Sequence, residues 1–271
     1  MLLSPEPLPA EPLPAGTVVS ATSVDVVLGG IPIVRGASLK IAQGEMVAIL
    51  GNNGSGKTTL MRALMGLVPH RGTIELFGTE LGRFKGWDRV GYVPQRGGIL
   101  VQQATAREVV ASGRLGRRRA FMPESAADKV AIKAALAEVG LSDRARYPFV
   151  RLSGGQQQRV LIARALATGA DLMAWDEPLA GVDHATQELL AGVATRLKAE
   201  GTTIVVVLHE LGCFRDLIDR SIILADGRVL PPGYNHHDND HPHSGHRDVH
   251  GGHEVEEVER PRTHHTGLEV G

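Results

Sequence analysis

Eight consecutive residues, Gly51-Asn52-Asn53-Gly54-Ser55-Gly56-Lys57-Thr58, satisfy the pattern G-x-x-x-x-G-K-[ST] in full, and that spacing is chemistry for phosphate. Glycines let successive backbone N–H groups turn inward around phosphate oxygens, and a helix beginning at the loop's end adds its positive dipole terminus. Lys57 supplies a point charge for the β- and γ-phosphates of a nucleotide, and the Thr58 hydroxyl is a ligand for Mg²⁺. A second constellation, Asp171-Leu172-Met173-Ala174-Trp175-Asp176-Glu177, runs four apolar residues into two acids. Asp176 suits the magnesium ion, through water. Glu177, one residue on and not masked by the metal, can accept a proton from an attacking water. Together the two stretches read as metal-assisted transfer of a phosphoryl group to water.

Groups more than a hundred residues apart meet only if buried elements carry them to one edge. Short apolar runs at 47–50, 90–93, 172–175, 204–208 and 222–224 read as buried strands, and helical patterns cover 58–65, 126–139, 156–167 and 184–199. Ala225-Asp226-Gly227-Arg228 is a turn signal, which makes 222–230 a hairpin. Alternation of this kind predicts an α/β domain with a mostly parallel sheet.

Leu152-Ser153-Gly154-Gly155-Gln156, followed by Gln157-Gln158-Arg159, adds a third motif. By itself it is a helix start, with Ser153 a good N-cap. With the two stretches above, in the same order and spacing, the chain from about 18 to 230 closely resembles the nucleotide-binding subunit of ABC transporters. That resemblance implies an α/β P-loop NTPase core of RecA-like type, joined by an antiparallel β subdomain and a helical subdomain at about 97–150. It implies ATP and Mg²⁺ as ligands, with the phosphate site extending to Thr59. Ser153, Gly154, Gly155 and Gln156 would contact the γ-phosphate held by an opposite subunit, so the working unit would be a two-fold dimer around two ATP molecules. Gln95, in Tyr92-Val93-Pro94-Gln95, looks like the glutamine that touches Mg²⁺ and water; Asp183 resembles the aspartate crossing the dimer seam; His209 matches the histidine that contacts the γ-phosphate. The further partners implied are an integral membrane permease and, indirectly, an extracellular metal-binding protein, which places the chain peripherally on the cytoplasmic face of the membrane.

The chain departs from the family's pattern in three places. Where an aromatic residue commonly stacks on adenine, just before a pair of glycines, it has Leu28 before Gly29-Gly30, which implies loose selectivity for the base. Trp175 stands where an aliphatic residue is usual and reads as packing. His209 is followed by Glu210 and preceded by Leu208 rather than aspartate and threonine. None of these removes a group needed for hydrolysis. The basic run Arg114, Arg117, Arg118 and Arg119 is either a solvated loop or a contact for membrane-subunit acids or lipid headgroups.

Composition excludes other classes. The 271 residues carry a formal net charge of -1, which argues against a strongly basic nucleic-acid binder. One cysteine, Cys213, suits a reducing compartment, and no apolar run approaches the ~20 residues of a membrane span. The average conceals two appendages. Residues 1–16 form a proline-rich leader outside the fold, read as a plain disordered terminus before an SH3-type ligand. From 231 onward the chain holds nine of the 12 histidines and eight acids against three arginines, a net -5 that leaves +4 for residues 1–230.

Two signals bear on cargo. The stretches Glu108-Val109-Val110-Ala111-Ser112-Gly113-Arg114 and Glu138-Val139-Gly140-Leu141 resemble zinc and manganese importer ATPases. In the tail, His236, His237, His241, His243 and His246 with nearby carboxylates suit loose binding of Zn²⁺, although no spacing there matches a closed tetrahedral site. The reading is therefore an ATPase that powers import of a divalent transition metal, zinc in first place. The alternatives are manganese or another cargo, or a soluble ABC ATPase without a transport role. One P-loop, one signature and no heptad run weigh against the last.

Overall fold

The computed structural model describes residues 16–95, 103–118 and 122–231. The leader up to residue 15, Arg119 of the basic run, and the histidines His236, His237, His241, His243 and His246 lie outside them. The elements run β1 (Thr17–Leu28), β2 (Ile31–Ala42), β3 (Met46–Leu50), α1 (Lys57–Leu64), β4 (Arg71–Leu76), β5 (Thr79–Glu80), β6 (Val90–Val93) and α2 (Ala106–Ser112). They continue with α3 (Ala126–Glu138), α4 (Gly154–Ala167), β7 (Leu172–Asp176), α5 (His184–Ala199), β8 (Thr203–Val207), β9 (Arg220–Ala225) and β10 (Arg228–Val229).

Among the described residues the strands form two sheets, one ordered β2-β1-β4-β5 and one ordered β10-β9-β3-β8-β7-β6. The larger is parallel from β9 to β6, with β10 folding back antiparallel as the expected hairpin. Its central strands are short and apolar because both faces are covered: β7 and β8 are buried at every position. Successive side chains alternate between two cores. Met46, Ala48, Met173, Trp175, Ile204 and Val206 join the layer built with α2–α5. Val47, Ile49, Leu172, Ala174, Val205 and Val207 join the layer built with α1 and the smaller sheet. Trp175 is packing, as expected: its ring is fully buried with its centroid 5.9 Å from that of Phe214.

The smaller sheet is antiparallel. Its two 12-residue strands are hard to read locally, because β-bulges break their register at several points and so break the period of two. The short helix α2 also escapes a periodicity search. Its start is nevertheless written in the sequence as a capping box, Thr105 with Glu108.

Two arginines of the basic run have partners within the fold. Arg114 pairs with Asp128 at 2.8 Å and donates to the Ala167 carbonyl at 2.9 Å. Arg117 donates to the carbonyls of Gly169 at 3.0 Å and Asp88 at 3.2 Å. Both therefore serve the unpaired carbonyls at and just beyond the C-terminus of α4, where a cation is favoured by the helix dipole. Arg114, largely buried, ties the helical segment to the core, while Arg117 makes its contacts at the surface.

Candidate active site

The sheet order explains why distant motifs converge. Residues 51–56 follow β3, Asp176 ends β7, Gln95 lies two residues past β6 and His209 two past β8. The strand order β3-β8-β7-β6 then sets all four at the same edge of the sheet, the edge where open parallel sheets bind ligands.

The loop after β3 needs its glycines for measurable reasons. Gly51 has φ +151°, and a Cβ there would lie 2.1 Å from the Leu224 carbonyl oxygen. Gly54 and Gly56 also have positive φ, +80° and +101°. The loop closes on itself through Ser55 N–H, which donates to the Asn52 carbonyl at 3.1 Å. Lys57 Nζ donates back to the carbonyls of Gly51 at 2.8 Å and Asn52 at 3.1 Å. Burial lowers the Lys57 pKa, while the charges of Glu177 and Asp176 oppose that shift. Asn53, Gly54, Gly56, Lys57, Thr58 and Thr59 line a cavity of about 290 Å³, which Glu177 and Ile33 complete.

Asp176 is fully buried. Thr58 Oγ1 donates to its Oδ1 at 2.8 Å, and the Tyr92 hydroxyl donates to its Oδ2 at 3.4 Å. Burial raises its pKa, opposed by the Thr58 hydrogen bond and by the charge of Arg62. A buried carboxylate whose hydrogen-bond partners are neutral hydroxyls is well placed to gain from a cation. Ser55 Oγ is likewise buried without a protein partner. These features fit a nucleotide with its Mg²⁺, held by the loop's backbone, Lys57, Thr58 and Asp176.

Glu177 adopts φ +51°, a left-handed conformation costing about 1–2 kcal/mol for a residue with a Cβ. Its N–H donates to the Val207 carbonyl at 3.1 Å, and its carbonyl accepts from Ala180 N–H at 3.2 Å. The strained turn aims the side chain between two partners: Gln95 Nε2 donates to Oε2 at 2.6 Å, and His209 Nε2 lies 3.1 Å from Oε1. Glu177 borders both the phosphate cavity and a second cavity of about 250 Å³, lined also by Leu208, His209, Glu210 and Gln187. A water in front of this carboxylate would face a base held on both oxygens.

The remaining sequence-derived residues gather elsewhere. Ser153 caps α4 through a capping box with Gln156, and Asp183 caps α5 by accepting from Thr186 N–H at 2.8 Å. The two helix starts are neighbours, since a Cβ on Gly155 would lie 3.7 Å from Thr186 Oγ1. Among the described residues no hydrogen bond or ion pair joins Ser153, Gly154, Gly155, Gln156 or Asp183 to the phosphate loop. Leu28 ends β1, 39% exposed, beside the tighter hairpin turn at Gly29 and Gly30. Tyr92 was not among the sequence-derived site residues, since a tyrosine in a buried strand reads as core. The signal it did carry is that a buried phenol needs a hydrogen-bond partner.

Residues 34–180 match the family model described as ABC transporter. The chain is 40% identical over 195 residues to the manganese transport system ATP-binding protein MntB of Bacillus subtilis (strain 168), covering 71% of this chain and 77% of that one. It is 37% identical over 204 residues to the zinc transport system ATP-binding protein TroB of Treponema pallidum (strain Nichols), covering 74% and 76%. A phosphonates import ATP-binding protein, PhnC 2 of Nostoc sp., is also 40% identical, over 212 residues covering 74% and 86%. Among solved structures, a dimeric ATP-binding cassette in a post-hydrolysis state with ADP and Pi superposes with a TM-score of 0.71 at 29% identity, covering 79% of this chain and 97% of that one. No helix among the described residues is long and apolar enough to cross a membrane.

Proposed function

The chain belongs to the ABC transporter family and is an ATPase, and we propose that it powers import of a divalent transition metal, zinc in first place, through a membrane permease. The observation that carries the hydrolytic part is the Glu177 carboxylate, held between Gln95 and His209 at the mouth of the phosphate cavity. The P-loop amides and Lys57 bind and orient the nucleotide's phosphates. Thr58 and Asp176 would hold a magnesium ion, which would supply charge neutralisation at the transferring phosphoryl group. Glu177 accepts the proton of the attacking water, while Gln95 and His209 fix the direction of its carboxylate.

In this reading Ser153 and the N-terminus of α4 serve the nucleotide of a second copy, so two chains close around two ATP molecules on the cytoplasmic face of the membrane. The likeness to the manganese and zinc system proteins supports a metal cargo; the phosphonate relative supports import by the family in general. The tail histidines would add loose Zn²⁺ binding to the same role.

The test is metal content in cells lacking this chain, restored with wild type or with Glu177→Gln. Wild type should restore zinc, measured by mass spectrometry, and the variant should not. Restored manganese without zinc selects the alternative cargo. Zinc and manganese both unchanged by wild type would remove the metal reading while leaving the ATPase assignment standing.

A further inference from the structure

We propose that Tyr92 is an outer brace that holds the Asp176 carboxylate in the orientation required by the cation of a bound nucleotide. The proposal rests on reading Asp176 as a ligand of that cation. Tyr92 is a positioning residue, acting through Asp176.

The geometry is set by two elements meeting on one side of the larger sheet. β6 pairs with β7 in parallel register, Tyr92 opposite Ala174. Asp176 lies two residues beyond Ala174 and so projects to the same face. Tyr92 packs against the core layer on that face, beneath α1. Each oxygen of the carboxylate has one hydroxyl partner: Thr58 of α1 donates to Oδ1 at 2.8 Å, and Tyr92 donates to Oδ2 at 3.4 Å.

On the other side of the strand, Arg164 of α4 donates to the Tyr92 carbonyl at 3.1 Å, fixing the backbone that carries the ring. Burial, followed by the Asp176 charge, raises the Tyr92 pKa, so the phenol stays neutral and remains a donor. Phenylalanine would fill the same apolar space, and what tyrosine adds is the hydroxyl on Asp176. Such outer contacts restrict the swing of a ligating carboxylate and tune the affinity of its metal.

The experiment uses the full chain with ADP and Mn²⁺ as the spectroscopic probe, and reads Mn²⁺ affinity by electron paramagnetic resonance. Tyr92→Phe should weaken Mn²⁺ binding in the ADP complex about fivefold. Metal-free ADP affinity, measured in EDTA, should stay within about twofold of wild type. Asp176→Asn serves as the reference and should weaken Mn²⁺ more.

If Asp176→Asn weakens Mn²⁺ while Tyr92→Phe binds it as wild type does, the brace is overturned and the role of Asp176 stands. Unchanged Mn²⁺ affinity in Asp176→Asn overturns both. A parallel loss of metal-free ADP affinity in Tyr92→Phe also overturns it, by assigning the residue a merely structural role. Should Tyr92→Phe not fold, Tyr92→Met decides by the same criteria.

Discussion

Gln95 and Glu177 meet through a 2.6 Å hydrogen bond from Nε2 to Oε2, although the two residues lie on different strand ends of the sheet. His209 takes the other carboxylate oxygen at 3.1 Å. The carboxylate is therefore held on both oxygens, and its backbone has a left-handed φ.

Glu177→Gln should keep this geometry and lose the proton acceptor. An amide of the same shape can still accept from one neighbour and donate to the other, so ATP binding and association of two chains should persist. Turnover should fall by about 10²- to 10⁴-fold, the usual worth of a positioned base. Equilibrium binding of a fluorescent ATP analogue, set beside steady-state phosphate release, measures both. Wild-type phosphate release in this variant refutes the general-base role.

Gly51→Ala should injure the loop where no charged group is touched. The added methyl would sit 2.1 Å from the Leu224 carbonyl oxygen and 2.8 Å from Ser55 Oγ, on a backbone of φ +151°. Rotating Ser55 could relieve the second clash, but the first is with the β9 backbone and no side-chain rotation removes it. A loss of about 2–4 kcal/mol in denaturant stability is expected, with nucleotide affinity falling in step. Unaltered urea unfolding midpoint and affinity would show that the loop tolerates a Cβ.

Asp128 carries a pH signature. Its carboxyl is held down to about 2 from an ordinary 3.8, first by the hydrogen bond from Arg114 and then by Ser125. A group whose folded pKa is depressed contributes stability that is present above the unfolded value near 4 and is lost as pH falls through the folded value. Wild type should thus exceed Asp128→Asn in stability at pH 6, with the gap closing between about pH 4 and pH 2. Thermal unfolding of the pair across that range checks it; a gap independent of pH contradicts the ion-pair account.

The central strands of the larger sheet were legible from local pattern because they are short apolar runs buried on both faces. The 90–93 strand and the 184–199 helix have the bounds read from sequence. α4 begins two residues before the periodic pattern does, since Ser153 and Gln156 close a capping box that periodicity does not weigh. β1 and β2 were not legible, as bulges repeatedly shift which face each residue takes. The partners of Arg114 and Arg117 were not legible, because sequence shows their charge and not the helix end they reach.

What the sequence alone determined is the chemistry: glycines that permit positive φ, a lysine and threonine at the loop's end, and two acids closing an apolar strand. These are local requirements, each satisfied within a few residues. The tertiary structure alone decided which oxygens of which carboxylates are held, and by what. Tyr92 reaches Asp176 across 84 residues and Gln95 reaches Glu177 across 82. Those distances exist because β3, β8, β7 and β6 pair in that order, and pairing order is a property of long-range packing that no window of sequence contains.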